Sequence, residues 1–496
     1  MKRNTIILIV VALVALWYLF GRDNAATNDN STDDTDTQTA NDDEHGKGWK
    51  RDSAKFDQTE IFIPLDPNSP KNQLPQAVSL RQYAPAPQNQ GEQGSCTGWA
   101  SSYAARTILA SVSQGIDPNN TAFSPSYTFN QEHGDGCNGA IMYDVLEMLK
   151  KSGTLPMADF PYNPRTCSRQ PNSAERQQAK NHRILGFNRL TNGQDFNINM
   201  AAMKQNIAKG APVLIGMPVG GSIEKLMQAG NQGLWNPSQR DYSGLEEFRG
   251  GNYDGSGLGG HAMCVIGYDD KKFGGAVEIQ NSWGKEFGEN GFFWMKYDDF
   301  KSFCMEAYGL FPMASAKADP NKEFQVSLGL PINKSDSYLT FRNKTGLTFE
   351  TTRIFPLGTK FKVEITNTTP CYAYVIGQET DGSSYTLFPY TAKHSPYIGI
   401  VGTRIFPEKS SLQLDNIGNK DVIAILLSKE ALDIEGIKNT VSQNRSGTYE
   451  AKVRQALGNK LIATQNLTFT TDQMINVSAG KTDKSVIAIV MEINKK

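Results

Sequence analysis

Three residues in this chain are of types, and in settings, that suit nucleophilic catalysis. Cys96 ends the run Gln90-Gly91-Glu92-Gln93-Gly94-Ser95-Cys96 and leads into Thr97-Gly98-Trp99-Ala100, a small and apolar stretch that continues to residue 113. A glycine-rich approach thus delivers a thiol to the first turn of a helix, whose unpaired N–H groups and positive end favour thiolate. A free thiol titrates near about 8.5, and a helix N-terminus with an imidazolium beside it lowers that to about 3.5–7.5. Taken singly, a cysteine there reads as readily as a small buried hydrophobe. His261, one of five histidines, opens the apolar run Gly259-Gly260-His261-Ala262-Met263-Cys264-Val265-Ile266-Gly267-Tyr268. Alone it would read as a satisfied core residue. Asn281, in Gln280-Asn281-Ser282-Trp283-Gly284, offers a side-chain carbonyl. That carbonyl could accept one imidazole N–H and fix the tautomer, with an aromatic neighbour keeping water away.

Helices and strands must alternate to hold these groups. Residues 96–113 read as a buried helix, 140–151 carry apolar groups at helical spacing before Gly153, and 201–209 form a short helix stopped by Gly210. Residues 212–217, 261–268, 276–280 and 292–296 read as strands. After Pro320 the runs are short, β-rich and separated by turn residues, from 324–328 through 485–493, with one helix at 449–457. Regular short strands with turn punctuation predict a β-sandwich or barrel. Cys371 and His394 in this half read as structural, and no nucleophile–base pair stands out there.

The three segments together resemble the papain family of cysteine peptidases: Q-G-x-x-G-S-C, then G-H-A opening a strand that ends G-Y-D, then Q-N-S-W-G-x-x-x-G-E-N-G. The resemblance extends over about residues 74–315, taking in Leu74-Pro75, Asp135-Gly136-Cys137-Asn138-Gly139-Ala140, and Phe160-Pro161-Tyr162 with Cys167. It implies an α+β fold with a two-lobed catalytic domain, one lobe helical and one like a β-barrel, followed here by the β-sandwich-like domain. It implies that Cys96 attacks the scissile carbonyl, His261 forms its ion pair and protonates the leaving amine, and Asn281 orients His261. Gln90 and the Cys96 N–H would hold the oxyanion, and Trp283 would shield the histidine–asparagine pair. Gly94, Ser95, Asn138, Gly139, Ala140 and Gly260 would line the substrate cleft. Neither metal nor organic cofactor is called for.

Departures from the family pattern carry further expectations. Thr97 replaces an aromatic residue after the nucleophile, a form closer to bacterial members. Gln93 and Asn130 stand where the family has cysteines, so two family bridges have each lost one end. Their remaining ends, Cys137 and Cys167, could pair with each other or stay as two free, buried thiols; Cys264 and Cys304 read as core residues. Ala140 replaces a cleft glycine, and its methyl could narrow the cleft. Residues 220–258 are longer and richer in glycine than the family needs, and read as a surface insertion or as a loop over the cleft. Residues 22–73 are too short and too polar for the family's long helical prosegment, so folding without an inhibitory prosegment is expected. The C-terminal half resembles a β-rich domain of unknown function attached to bacterial peptidases and kinases.

Bulk properties fit this layout. The 496 residues allow two to four domains. Fifty Lys and Arg against 51 Asp and Glu leave no basic excess for nucleic acid. Lys2 and Arg3 precede an apolar run from Ile6 to Phe20, which reads as a signal-anchor or a cleaved signal peptide (1–21) that places the rest outside the cytoplasm. The expected order is then an acidic, disordered linker (22–60), the peptidase domain (61–318) and the β-rich accessory domain (319–496). The function this predicts is an exported cysteine peptidase, periplasmic and held at the cytoplasmic membrane. It would act on a protein or peptide through a thioester acyl-enzyme, with an unknown protein or envelope partner for the accessory domain. The competing reading is a catalytically inactive papain-like scaffold that works through that domain.

Overall fold

A strand that must be buried on both faces becomes apolar throughout, and Gly259–Asp269 is such a strand. In the computed structural model it lies between Val213–Val219 and Ala276–Gln280, both antiparallel, with Met217 opposite His261 and Gln280 opposite Cys264. The sheet runs in the order Phe187–Arg189, Glu306–Leu310, Val213–Val219, Gly259–Asp269, Ala276–Gln280, Phe292–Lys296, Leu234–Trp235, and Ala77–Ser79 pairs with the far end of Gly259–Asp269. The structure describes residues 45–192, 196–228, 230–313, 324–444 and 446–496. These form two units, one of residues 45–313 with 389–403, the other of residues 324–388 with 404–496.

The helical side of the first unit centres on one continuous helix of changing pitch: Cys96–Gly98, a wider π segment Trp99–Arg106, then Thr107–Gln114. Gly115 ends it in the left-handed conformation, at φ 69°. Its small residues, Ala100, Ala104 and Ala105, let it sit in the core. A Cβ on Gly98 would lie 2.5 Å from Pro125 O, so only glycine permits the approach of helix Pro125–Glu132. Helix Met142–Lys151 starts two residues later than the periodicity predicts, because Ala140–Ile141 forms a short strand instead. Residues 220–258 add to the wall of the sheet lobe: Leu234–Trp235 extends the sheet, and helix Gln239–Arg249 buries Leu245 and Phe248.

The linker expected over 22–60 is ordered in its last part. Trp49–Lys50 is a strand and Ser53–Gln58 a helix capped by Asp52. Trp49 and Phe56 bury their rings, which offsets the ordering of a polar stretch. Residues 60–72 then run beside residues 393–403. Ile61 exchanges backbone bonds with Lys393 and Ser395, Asp66 N–H donates to Thr403 O, and Asn72 makes three bonds to the backbone of Asp66 and Thr403. The segment 1–21 and the linker up to residue 44 lie outside the described residues. Among the described residues no helix is long and apolar enough to cross a membrane.

The second unit is β-rich, as the punctuation predicts. One sheet contains Val363–Asn367, Phe324–Gly329, Ile475–Ala479 and Leu467–Thr471 in that order; the other runs Phe341–Thr345, Thr348–Thr351, Val486–Asn494, Lys420–Ser428, Cys371–Gln378, Ser384–Phe388. Phe349 of one sheet meets Phe469 of the other edge-on at 5.4 Å. The helix expected at 449–457 is Tyr449–Leu457.

Candidate active site

The first turn of the central helix presents Cys96, and the facing strand presents His261. The Cys96 sulfur accepts the Ala262 N–H at 3.4 Å, and the N–H groups of Gly48 and Thr97 also reach it. His261 Nε2 donates to Asn281 Oδ1 at 2.7 Å, and the same oxygen accepts the Ser282 N–H at 2.8 Å. That fixes the ring and leaves Nδ1, buried and without a hydrogen-bond partner, as the free nitrogen. Trp283 packs on His261 with centroids 4.7 Å apart. Gln90 is held from both ends: its backbone N–H donates to Ser282 O at 2.8 Å and its Oε1 accepts from Ser282 Oγ at 2.5 Å. The structure therefore brings together Cys96, His261, Asn281, Gln90 and Trp283.

The site is occupied by the chain's own N-terminal segment, whereas no inhibitory prosegment was expected. Gln90 Nε2 donates to Gly46 O at 2.9 Å, and Gly46 N–H donates to Gly91 O at 2.9 Å. Ala140 N–H donates to Gly48 O at 2.8 Å, and Trp49–Lys50 pairs in parallel with Ala140–Ile141. His45 stacks on Trp283 at 5.1 Å. Glycines make the fit possible. A Cβ on Gly46 would lie 2.3 Å from Gln93 O, one on Gly48 1.9 Å from Gly94 O, and one on Gly139 2.3 Å from Gly48 O. Among the described residues no helical prosegment lies over the site, and a six-residue strap, His45-Gly46-Lys47-Gly48-Trp49-Lys50, does the covering.

Covering changes the electrostatics that the sequence implies. Cys96 and His261 are both fully buried. Burial pushes the thiol up to about 11 despite the backbone N–H groups that pull the other way. Burial also lowers His261 to about 4, opposed by its bond to Asn281 and reinforced by Lys47 and His45 of the strap. Under the strap burial thus disfavours both charged forms, against the thiolate–imidazolium pair that the helix N-terminus favours.

The cleft residues divide. Gly94, Gly139 and Ala140 touch the strap through their backbones, and Gly260 lies against Trp49, where a Cβ would be 2.3 Å from the Trp49 carbonyl. Ser95 instead shares a hydrogen bond of 2.7 Å with Tyr162, and Asn138 is exposed beyond the Asp135–Cys137 turn. Cys137 and Cys167 form a disulfide, with Cα atoms 5.8 Å apart, while Cys96, Cys264, Cys304 and Cys371 are free and buried. Sequence reasoning missed Trp49 and Glu306. The indole Nε1 of Trp49 donates to Glu306 Oε2 at 3.2 Å. A glutamate inside the otherwise apolar 303–310 run was the available signal.

The family model described as "Papain family cysteine protease" matches residues 74–313, and a "Domain of unknown function (DUF4384)" matches residues 354–431. Cathepsin B-like CP2 of Giardia intestinalis is 27% identical over 235 residues, covering 45% of this chain and 70% of that protein. Cathepsin B-like CP3 of the same organism is 26% identical, covering 41% and 62%. The chain thus spans between 62% and 70% of the length of these two relatives. Among solved structures, Xylellain, a cysteine protease from Xylella fastidiosa, is 25% identical with a TM-score of 0.42, covering 57% of this chain and all of that one. This chain carries a papain-family cysteine protease domain, followed by a separate C-terminal domain of the DUF4384 type.

Proposed function

We propose that Cys96, His261, Asn281 and Gln90 are the working residues of this cysteine peptidase, and that the strap holds it latent. The carrying observation is that Gln90 Nε2 already grips a peptide carbonyl, that of Gly46, within the site that holds Cys96. With the strap gone, solvent returns to Cys96 and His261, and the ion pair becomes accessible. The thiolate then attacks the scissile carbonyl carbon, and the oxygen takes up negative charge between Gln90 Nε2 and the Cys96 N–H. His261, its orientation set by Asn281, gives its proton to the leaving amine as the thioester forms. Water, deprotonated by the same imidazole, hydrolyses the thioester and restores the thiol. The apolar run after Lys2 and Arg3 supports export with anchoring at the cytoplasmic membrane, and a periplasmic site of action. The separate β-rich domain supports a role in holding a protein or envelope partner.

Labelling with a peptidyl epoxide tests the core of this reading. The full chain should label slowly, a Trp49→Ala chain faster, and a Cys96→Ala chain not at all. Equal labelling with and without Cys96, or none in the Trp49→Ala chain, overturns it.

A further inference from the structure

The two oxyanion donors of the proposed mechanism sit at the two ends of one loop. Gln90 carries the side-chain amide, and Cys96, six residues on, carries the backbone N–H. Between them Gly91 is left-handed at φ 68° and Gly94 has no side chain, so the loop does little by itself to fix the spacing of its ends. Gln93 stands at the position of a family cysteine, so hydrogen bonds take over the tethering. One phenol spans the gap. The Tyr162 hydroxyl donates to the Gln90 carbonyl at 2.8 Å. It has a single proton, so its 2.7 Å bond with Ser95 has the Ser95 hydroxyl as donor. Ser95 holds the N-cap position of the helix that Cys96 opens, yet its hydroxyl makes no cap bond and is spent on Tyr162 instead. Tyr162 thereby joins the residue that carries one donor to the residue next to the other. Its own place is set by packing: the ring meets Trp99 edge-on at 4.8 Å, and the Asn163 carbonyl beside it accepts Gln93 Nε2 at 3.4 Å. Burial raises the phenol above the usual tyrosine range, opposed by the Ser95 bond, so its proton stays in place to be donated.

We propose that Tyr162 is a positioning residue for the oxyanion hole, its hydroxyl holding Gln90 and Ser95 at the separation that lets the Gln90 amide and the Cys96 N–H bind one oxygen. The proposal rests on the peptidase reading and extends it to a residue that acts through Gln90 and Ser95. Gln90 Nε2 spends one proton on Gln93 O at 2.8 Å and turns the other to the oxygen in the site, here that of Gly46 at 2.9 Å. Without the phenol hydroxyl, the carbonyl of a residue with no exposed surface loses that donor, and the glycine-bearing loop relaxes to find another. A shift of about 1 Å in a catalytic group costs about 10²-fold in rate. Charge builds on the oxygen only in the transition state, so the loss falls on kcat and leaves KM nearly unchanged.

The test uses the full chain carrying Trp49→Ala, with and without Tyr162→Phe, which keeps the ring and removes the hydroxyl. Two reactions of Cys96 are read. One is hydrolysis of a peptide that this chain cleaves from a random-sequence library, a reaction that develops charge on a carbonyl oxygen. The other is alkylation by iodoacetamide, a displacement at saturated carbon that does not. Tyr162→Phe should lower kcat for hydrolysis about tenfold or more, with KM little changed, and leave alkylation within about twofold. Ser95→Ala removes the same bridge from its other side and should move the ratio of the two rates in the same direction. Added to Gln90→Ala, Tyr162→Phe should cost at most about threefold more, because the residues act as a unit. Strap opening and loss of folded enzyme change both reactions alike, so the ratio isolates the positioning role. Equal losses in both reactions, full additivity with Gln90→Ala, or unchanged hydrolysis where Gln90→Ala lowers it overturn that role and leave the peptidase reading standing. Hydrolysis by the Gln90→Ala chain at the parent rate, or no library member cleaved by the parent, overturns both.

Discussion

Gln90 has two jobs in this structure, and one substitution separates them. In the proposed mechanism its amide N–H is the donor offered to the oxyanion, and in the structure it grips Gly46 of the strap. Gln90→Ala should lower kcat/KM of the uncovered enzyme by about 10²–10³-fold, while making Cys96 in the covered chain easier to alkylate. A role confined to stability would move both readings the same way. His261 gives a pH test. Its covered form titrates near 4, below the ordinary histidine value. The strap therefore gains stability from His261 above about 6.5 and loses it as pH falls through that value towards 4. Glu306 has the opposite sign: raised to about 7 under Trp49, it favours the strap at low pH and weakens it as pH rises through 7. In a Glu306→Gln chain only the histidine effect remains between pH 4 and 7. Deuterium uptake of residues 45–50, corrected for intrinsic exchange, should then rise as pH drops from 6.5 to 4. Uptake that stays flat would show that the two do not couple. The proposed catalytic residues, which the structure brings together, were legible because each sits in a local motif with glycine or tryptophan at fixed offsets. Glu306 was not, because its role depends on a ring that is 257 residues away in sequence.

The strap, as an element, owes its path to two glycines. A Cβ on Gly48 meets backbone, not a movable side chain. Gly48→Ala should therefore push the strap off its track at a cost of about 1–3 kcal/mol, read as roughly a 5- to 150-fold faster alkylation of Cys96 with little change in Tm. His-Gly-Lys-Gly-Trp-Lys reads as a polar tether because its one buried ring is diluted by its neighbours. Its strand bonds go to a separate segment of chain, which periodicity within a window does not detect. The 137–167 disulfide is a different kind of element, tying the cleft-lining turn to the segment after residue 160. By the loop it closes, replacing both cysteines with serine should cost about 3–4 kcal/mol, measured as a drop in urea midpoint. The replacement of two partner cysteines by Gln93 and Asn130 was readable. Which of the remaining thiols met was left open by spacing alone and required the fold.

At the scale of the whole molecule, the division into an α+β peptidase and a β-rich domain follows from composition: helical and extended runs alternate before residue 313, and short punctuated strands follow residue 324. What composition concealed is that residues 389–403 belong to the first unit. Their bonds to residues 60–72 run largely through the backbone, which carries no side-chain signature. Asn72 is the side chain that reports the junction. It is 6% exposed and makes three hydrogen bonds, two of them to Thr403. Asn72→Ala should destabilise the first unit by about 2–4 kcal/mol, seen as a lowered midpoint of the transition that exposes Cys96. Asn72 and Thr403 are 331 residues apart. During synthesis the ribosome releases the whole protease sequence well before it makes the piece that docks beside the strap's continuation. A nascent chain stalled at residue 313 holds Cys96, His261, Asn281 and Gln90, yet the carbonyl and amide groups of Ile61, Asp66 and Asn72 still await their partners. Completion of the enzyme's fold is thus timed by translation of the domain that follows it.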